Sequence, residues 1–210
     1  MTEGNRAADR EILGFYNRGD REQALRLFID EYQPRLYTLA YRMMGNHDDA
    51  MDALQEILIQ VNRSLSTFKG DSALYTWAYR LGSNVCLNYR RRKKPAPVEW
   101  DEEIVRSVMR PVERPNEDPD QMCETRYKQF LVRQAVLKLP ETQRVILVLH
   151  DLEGVSSTEI ARILDVNAGA VKARLHRGRN ALRKIISRGF AVKGMEGAGM
   201  FSVGPSGRLL

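Results

Sequence analysis

Apolar residues recur along this chain with a helical period almost throughout. Leu25, Phe28, Ile29 and Tyr32 fall on one face, and Leu36, Leu39, Ala40 and Met43 continue the same spacing past Pro34. Gly45-Asn46 predicts a stop. Ala50, Ala53, Leu54, Ile57, Leu58, Val61 and Leu65 predict a second helix over about 48–66, with Asp49, Asp52, Gln55 and Glu56 on its opposite side. Lys69-Gly70-Asp71 breaks the pattern, and Asp71 or Ser72 is placed to cap a third helix over about 73–92.

The periodicity then stops. Residues 96–122 carry Pro97, Pro111, Pro115 and Pro119 among Glu99, Asp101, Glu102, Glu103, Glu113, Glu117, Asp118 and Asp120. Such a stretch reads as a linker, with room for a short helix near 101–109. Helical spacing resumes within 123–188, through Phe130, Leu131, Val132, Ala135, Val136 and Leu139, and again after Pro140. A short helix at "SSTEIARIL", capped by Ser156 or Ser157, is followed by the turn Asp165-Val166-Asn167 and a longer helix from "AGAVKARLHRG". Residues 189–210 are glycine-rich and are expected to be disordered. The expected fold class is all-α: two small helical domains, 20–95 and 123–188, joined by an acidic proline-rich linker, the second domain a helix-turn-helix.

Composition narrows this picture a little. No apolar run approaches the ~20 residues of a membrane span, so direct membrane insertion is not expected. The charged N-terminus lacks the apolar core of a secretory signal. Cys86 and Cys123 are too few for a disulfide framework, which suits a cytoplasmic protein with reduced thiols. The net charge of +6 hints at a polyanionic partner only if it is clustered.

It is clustered twice. Over 157–186 Ile160, Ala161, Leu164, Val166, Val171 and Leu175 are spaced as the small core between the two helices of a helix-turn-helix. The second helix then presents Lys172, Arg174, His176, Arg177, Arg179, Arg183 and Lys184 without an acid. Like charges on one helix repel, and a phosphate backbone relieves that repulsion. Lys172, Ala173, Arg174, His176 and Arg177 are placed to reach base edges, with Arg179 and Arg183 further along towards phosphates.

The other cluster, "FKGDSALYTWAYRLGSNVCLNYRRRKK", combines Phe68, Tyr75, Trp77, Tyr79 and Tyr89 with Arg80 and with Arg90, Arg91 and Arg92. Rings that stack on bases beside cations that track phosphates suit single-stranded nucleic acid, where stacking is worth ~1–3 kcal/mol per base. Asn84 and Asn88 add amides. Trp77, Leu81 and Val85 also recur at helical spacing, so part of the aromatic content is equally well explained as core.

Catalysis finds little support. His47, Asp48, Asp49, Asp52 and Glu56 fit an exposed helix face at least as well as a metal site, and no phosphate loop, GxGxxG or HExxH motif implies a cofactor. His150 and His176 have no nucleophile at useful spacing. A helix-turn-helix regulator that binds a palindrome by itself, and a metal-dependent enzyme of single strands using Asp52, are the competing readings.

"FKGDSALYTWAYRLGSN" with its basic cluster resembles the promoter-melting segment of bacterial extracytoplasmic-function (ECF) sigma factors of the sigma-70 family. "DALQEILIQV" is similar to their polymerase-binding helix, and "LPETQRVILVLHDLEGVSSTEIARILDVNAGAVKARLHRGRNALRK" to their C-terminal helix-turn-helix. The resemblance covers residues 20–188 in order. It implies a sigma factor rather than an enzyme, with core RNA polymerase (the β′ clamp helices and β flap), promoter DNA and an anti-sigma factor as partners. It implies a pocket for a flipped −10 base at Phe68, Lys69, Asp71, Ser72, Ala73, Tyr75 and Asn84. Reading of the −35 element falls to Lys172, Ala173, Arg174, His176 and Arg177, and polymerase contact to Asp49, Asp52, Gln55 and Glu56. Two departures stand out: Ala170 where the family usually has Thr or Ser, and Gly178 where it usually has Ala.

Overall fold

The computed structural model describes residues 3–68, 70, 72–93 and 130–191, the side chains of 3–6 and 189–191 excepted. Lys69, Asp71, Lys94, the linker with its short helix, Cys123 and the chain beyond 191 lie outside the described residues, as does any cap from Asp71. Every regular element within them is helical.

The first half has four helices: α1 (Glu3–Asn17), α2 (Arg21–Met44), α3 (His47–Ser64) and α4 (Leu74–Lys93), with a 3-10 turn at Leu65–Thr67. Helix α2 is central, packing against the other three. Asp20 caps it by accepting from the Gln23 amide at 3.1 Å. Pro34 lies inside it on the exposed side. An interior proline costs ~3 kcal/mol or more. Burial of Phe28, Tyr32, Leu36, Leu39 and Met43 outweighs that, at ~1.5–3 kcal/mol per large side chain. Gly45 ends α2 at φ 89°, its amide donating to the Tyr41 carbonyl at 2.9 Å.

Helix α1 precedes the expected start of this domain at residue 20. Its signal is faint, four large apolar residues at Ile12, Leu13, Phe15 and Tyr16, of which only Ile12 is fully buried. The buried Asp9 accepts a short hydrogen bond from the Tyr32 hydroxyl. Burial raises the Asp9 carboxyl pKa, against hydrogen bonds from Tyr32 and the Leu74 backbone. Asp9 therefore ties α1 to both α2 and the first turn of α4.

The second half comprises α5 (residues 130–137), α6 (Glu141–Leu147), a π-helical turn (Val148–Leu152), α7 (Ser157–Leu164) and α8 (Ala168–Ala191). Ser156 caps α7 in a reciprocal capping box with Glu159. Asp165 takes the left-handed conformation, φ 53°, at the turn. The core of the helix-turn-helix differs slightly from the expected set. Ile163 is fully buried with Ile160, Val171 and Leu175, while Ala161, Leu164 and Val166 are only partly covered.

Arg144 is 2% exposed, the largest fully buried side chain. Its Nε donates to the Val136 carbonyl at 3.0 Å and its Nη2 to the Leu137 and Leu139 carbonyls. Its Nη1 reaches across to the Met43 carbonyl at 3.3 Å. Burial, then the nearby Arg90, lowers its pKa to about 10, so it stays protonated at neutral pH.

Both halves are all-α, with the helix-turn-helix in the second. They also share one continuous apolar core: α7 packs against α4, and the π turn against α2. Periodicity reports which face of a helix is apolar, not which neighbour covers it.

Candidate nucleic-acid interface

The loop before α4 brings its rings together as a half-exposed shelf. The Phe68 ring centroid lies 5.7 Å from that of Trp77, which meets Phe28 edge-on at 6.3 Å. Phe28 in turn stacks on Tyr32 at 4.8 Å. Phe68 and Trp77 are both half-buried, so each is joined to the core while keeping part of its ring accessible. Ser72 and Ala73 are half-buried beside them, and Asn84 and Asn88 are exposed on the following turns.

Tyr75 and Tyr79 lie on another side of α4, 4.6 Å apart. Tyr79 is buried and donates to Glu153 Oε2 at 3.2 Å. Burial, with the charges of Glu159 and Glu153, pushes the Tyr75 hydroxyl up to about 12. Both rings thus face the second half. Arg80 is close to Asp165, 3.9 Å away.

The geometry of α4 reflects its single interior glycine between Leu81 and Ser83. A Cβ at Gly82 would sit 3.1 Å from Leu36 and 3.3 Å from Leu39, so glycine lets α4 nest against α2. Cys86, one turn beyond Gly82 on the same buried face, has no solvent exposure. Burial pushes its thiol up to about 12, which leaves it a poor nucleophile.

The basic end of α4 is not a row of free cations. Arg90 donates to the Met43 carbonyl at 3.2 Å and is only 11% exposed. Desolvation lowers its pKa, against the pull of Glu141 and Asp49. The Glu141 carboxylate lies 3.8 Å from both Arg90 and Arg91. Arg92 pairs with Glu56 at 2.5 Å, and Lys93 with Asp49. In this conformation the cations expected as a phosphate anchor stand beside carboxylates and carbonyls of the same chain, with Arg91 and Arg92 still mostly exposed.

Two of the four residues expected on the polymerase face are involved in those pairs. Asp49 is buried, capped by Asn46 and bonded to Lys93 and Tyr89. Burial pushes its carboxyl up, but those hydrogen bonds win and hold it below the ordinary range. Glu56 is half-buried beside Arg92, while Asp52 and Gln55 are exposed, Asp52 accepting from Tyr89 at 2.9 Å. Met51 and Ile59, 43% and 44% exposed, were not expected there. With Leu25, Ile29 and Leu58 they line an apolar groove between α2 and α3 beside Asp52 and Gln55. Their signal was available, since both are apolar residues off the buried stripe. His47 is 2.9 Å from the Tyr37 hydroxyl through Nδ1, and among the described residues no three potential metal ligands converge.

Helix α8 differs. Lys172, Ala173, His176 and Arg177 are exposed and Arg174 half-exposed, along one helix of a helix-turn-helix. Among the described residues no carboxylate pairs with Lys172, Arg174, Arg177 or Lys184. Asn167 takes over the capping role left open by Ala170, its Oδ1 accepting the Ala170 amide at 2.6 Å. Arg183 is exposed and donates to Asn180 at 3.2 Å. Arg179 is the correction. It grips the buried Asp151 with Nε at 2.9 Å and with Nη2, so it anchors α8 to the π turn rather than facing solvent. Gly178 also faces inward. A Cβ there would meet Gln143 at 3.5 Å and Leu147 at 3.7 Å, ordinary contact distances that an alanine would tolerate.

Comparison with known proteins agrees on both halves. Residues 28–95 match the family model described as sigma-70 region 2, and residues 129–182 the one described as sigma-70, region 4. The chain is 33% identical over 172 residues to the ECF RNA polymerase sigma factor SigW of Bacillus subtilis, covering 80% of this chain and 90% of that one. It is 30% identical over 181 residues to the ECF RNA polymerase sigma-E factor of Escherichia coli, covering 83% and 92%. Among solved structures, CnrH in complex with the cytosolic domain of CnrY shares the fold at TM-score 0.61 and 21% identity, covering 86% of this chain and 98% of that one. The sigma factor RpoE of Bartonella quintana, in complex with the anti-sigma factor NepR, does so at TM-score 0.54 and 20% identity, covering 76% and 94%. With an aromatic shelf on one helix, an uncompensated basic helix on another, and matches to both regions in order, the chain belongs to the sigma-70 family of RNA polymerase sigma factors, in its ECF group.

Proposed function

We propose that this protein binds core RNA polymerase in the cytoplasm, directs it to a class of promoters and helps melt them, without being an enzyme itself. The observation that carries the reading is α8: a helix-turn-helix second helix whose outward cations Lys172, Arg174, Arg177 and Lys184 have no carboxylate partner among the described residues. Residues 20–95 serve polymerase binding and −10 melting, 96–122 connect, and 123–188 read −35. Lys172, Arg174, His176 and Arg177 approach base edges. Phe68, with Asn84 further along α4, forms the side of a pocket for an unstacked base, and extruding that base costs a few kcal/mol that stacking partly offsets.

Polymerase contact is assigned to Asp52 and Gln55 together with the apolar groove at Met51 and Ile59. An apolar patch rimmed by polar groups is how a docking face differs from ordinary surface. Control by an anti-sigma factor is supported by the solved structure of the sigma factor RpoE, which is in complex with the anti-sigma factor NepR.

The test is transcription of fragmented genomic DNA by purified core polymerase with this protein, followed by sequencing of the RNA 5′ ends. Starts downstream of one shared pair of motifs support the reading. Random starts, or the same starts without the protein, overturn it. Arg174→Ala is expected to weaken −35 recognition by ~1–3 kcal/mol while leaving polymerase affinity unchanged in a competition assay.

A further inference from the structure

Helix α4 starts without a cap of its own. The Trp77 amide donates to the Ala73 carbonyl at 3.2 Å, so Ala73 stands just before the first helical residue, Leu74. Alanine has no side-chain oxygen to offer the free amides of the first turn, and that turn contains no acid. The acceptor comes from elsewhere in the chain. Asp9 of α1, 8% exposed, takes a hydrogen bond from the Leu74 amide. A carboxylate there also suits the partial positive charge of a helix N-terminus.

The other donor to Asp9 leads to the same place. The Tyr32 hydroxyl bonds to Asp9, the Tyr32 ring stacks on Phe28, Phe28 meets Trp77 edge-on, and Trp77 lies against Phe68. Phe68 is itself fixed through its amide, which donates to the Leu65 carbonyl at 3.2 Å. Asp9 thus holds the aromatic shelf at two points: the backbone where α4 begins, and the row of rings behind Trp77. Leu74 and Tyr32 are both fully buried, so water has little access to either bond. Burying a carboxylate on the face it shares with Ile12 costs free energy that an apolar side chain would avoid. Stability alone does not account for Asp9; the two groups it holds do.

We propose that Asp9 is a positioning residue for −10 recognition. From α1, outside the residues 28–95 that match sigma-70 region 2, it sets where α4 begins and so where Phe68 and Trp77 present their faces to an unstacked base. The proposal rests on the reading of that shelf as the −10 site. Asp9 touches no DNA itself, and α8 and the groove at Met51 and Ile59 are built from other residues.

The experiment uses full-length protein with core polymerase and two fluorescein-labelled probes from a promoter mapped by its RNA 5′ end. One is a duplex carrying −35 alone. The other is a fork, in which the −35 duplex continues into a single-stranded −10 segment of the non-template strand. The readout is the ratio of the two affinities, which a fall in the folded fraction leaves unmoved. Asp9→Ala is expected to weaken fork binding roughly tenfold, within what one stacked base contributes. Binding of the −35 duplex and of core polymerase is expected to stay unchanged. Asp9→Asn is expected to recover most of the loss, since its amide oxygen can accept from Leu74 while its NH2 donates to the Tyr32 oxygen. Fork and −35 affinities that fall together, or a ratio that does not move, overturn the proposal, as does an Asn variant no better than Ala. If circular dichroism shows that Asp9→Ala does not fold, Tyr32→Phe is the second variant, because it keeps the ring and removes one of the two bonds. It is held to the same ratio: a fall supports the proposal and no change overturns it. Phe68→Ala is measured alongside. A ratio unmoved by Phe68→Ala overturns the shelf reading itself, whereas a ratio moved by Phe68→Ala and not by the Asp9 variants overturns the role of Asp9 alone.

Discussion

Helices α4 and α8 are both rich in arginine, and the structure uses them differently. On α4, Arg80, Arg90, Arg91, Arg92 and Lys93 all have carboxylates nearby, drawn from α3 and from the second half. On α8, among the described residues, only Arg179 has one. The difference lies in what surrounds each helix. Helix α4 is crossed by α2, α3 and α7, so acids on those elements reach it, whereas the outer side of α8 faces no other element among the described residues. A basic cluster is therefore evidence of a polyanion site only after its internal partners are known, and by that measure α8 is the stronger evidence of the two.

The largest effect is expected where an arginine is wholly internal. Arg144→Met leaves the Val136, Leu137, Leu139 and Met43 carbonyls without that donor and is expected to cost about 3–5 kcal/mol in urea unfolding. Next come two arginines one turn apart on α8. Arg179→Ala strands the buried Asp151 and is expected to lower stability by about 2–3 kcal/mol. Arg183→Ala is expected to leave stability within about 0.5 kcal/mol but to reduce the salt slope of duplex binding by about one. Equal behaviour of the two would erase the distinction between tied and free cations.

A smaller effect tests α4 through pH. The Asp49 carboxyl is held below its unfolded value of 3.8, so its stabilisation is present above that value and is lost as pH falls through the folded one. The melting-temperature gap between the parent and Asp49→Asn is therefore expected to be full at neutral pH and to shrink in acid below pH ~4. A gap independent of pH would mean that Lys93 is not held by charge. The smallest effect is a gain. Gly178→Ala fits without a clash and is expected to add about 0.5–1 kcal/mol, with −35 binding unchanged.

The sequence was most legible where one residue's spacing determines the outcome by itself. The stripe of α3 and the Ser156 cap needed only local rules. Partnership across the chain was not legible. Nothing in "RRRKK" shows that Arg90 would reach Met43 or Arg91 approach Glu141, some fifty residues away. Arg179 looked like its neighbours because the burial of Asp151 depends on the π turn, an irregularity that periodicity does not register. Met51 and Ile59 were visible as apolar residues off the stripe, yet only the neighbouring α2 makes them a groove. Helix α1 was missed because its apolar signal is short, and its buried anchor Asp9 reads in sequence as one more surface acid.

Arg144 has a consequence for how such a molecule moves. Three of its four hydrogen bonds stay within the second half, and only the one to Met43 crosses. Parting the halves would break that single bond and leave the α5–α6 corner braced. The helix-turn-helix half can then swing away as a rigid body, without any helix melting. Motion of that kind runs in microseconds to milliseconds. It is quick beside the lifetime of most protein complexes, so a partner arriving at the closed form need not pry it apart, only wait for the gap and fill it.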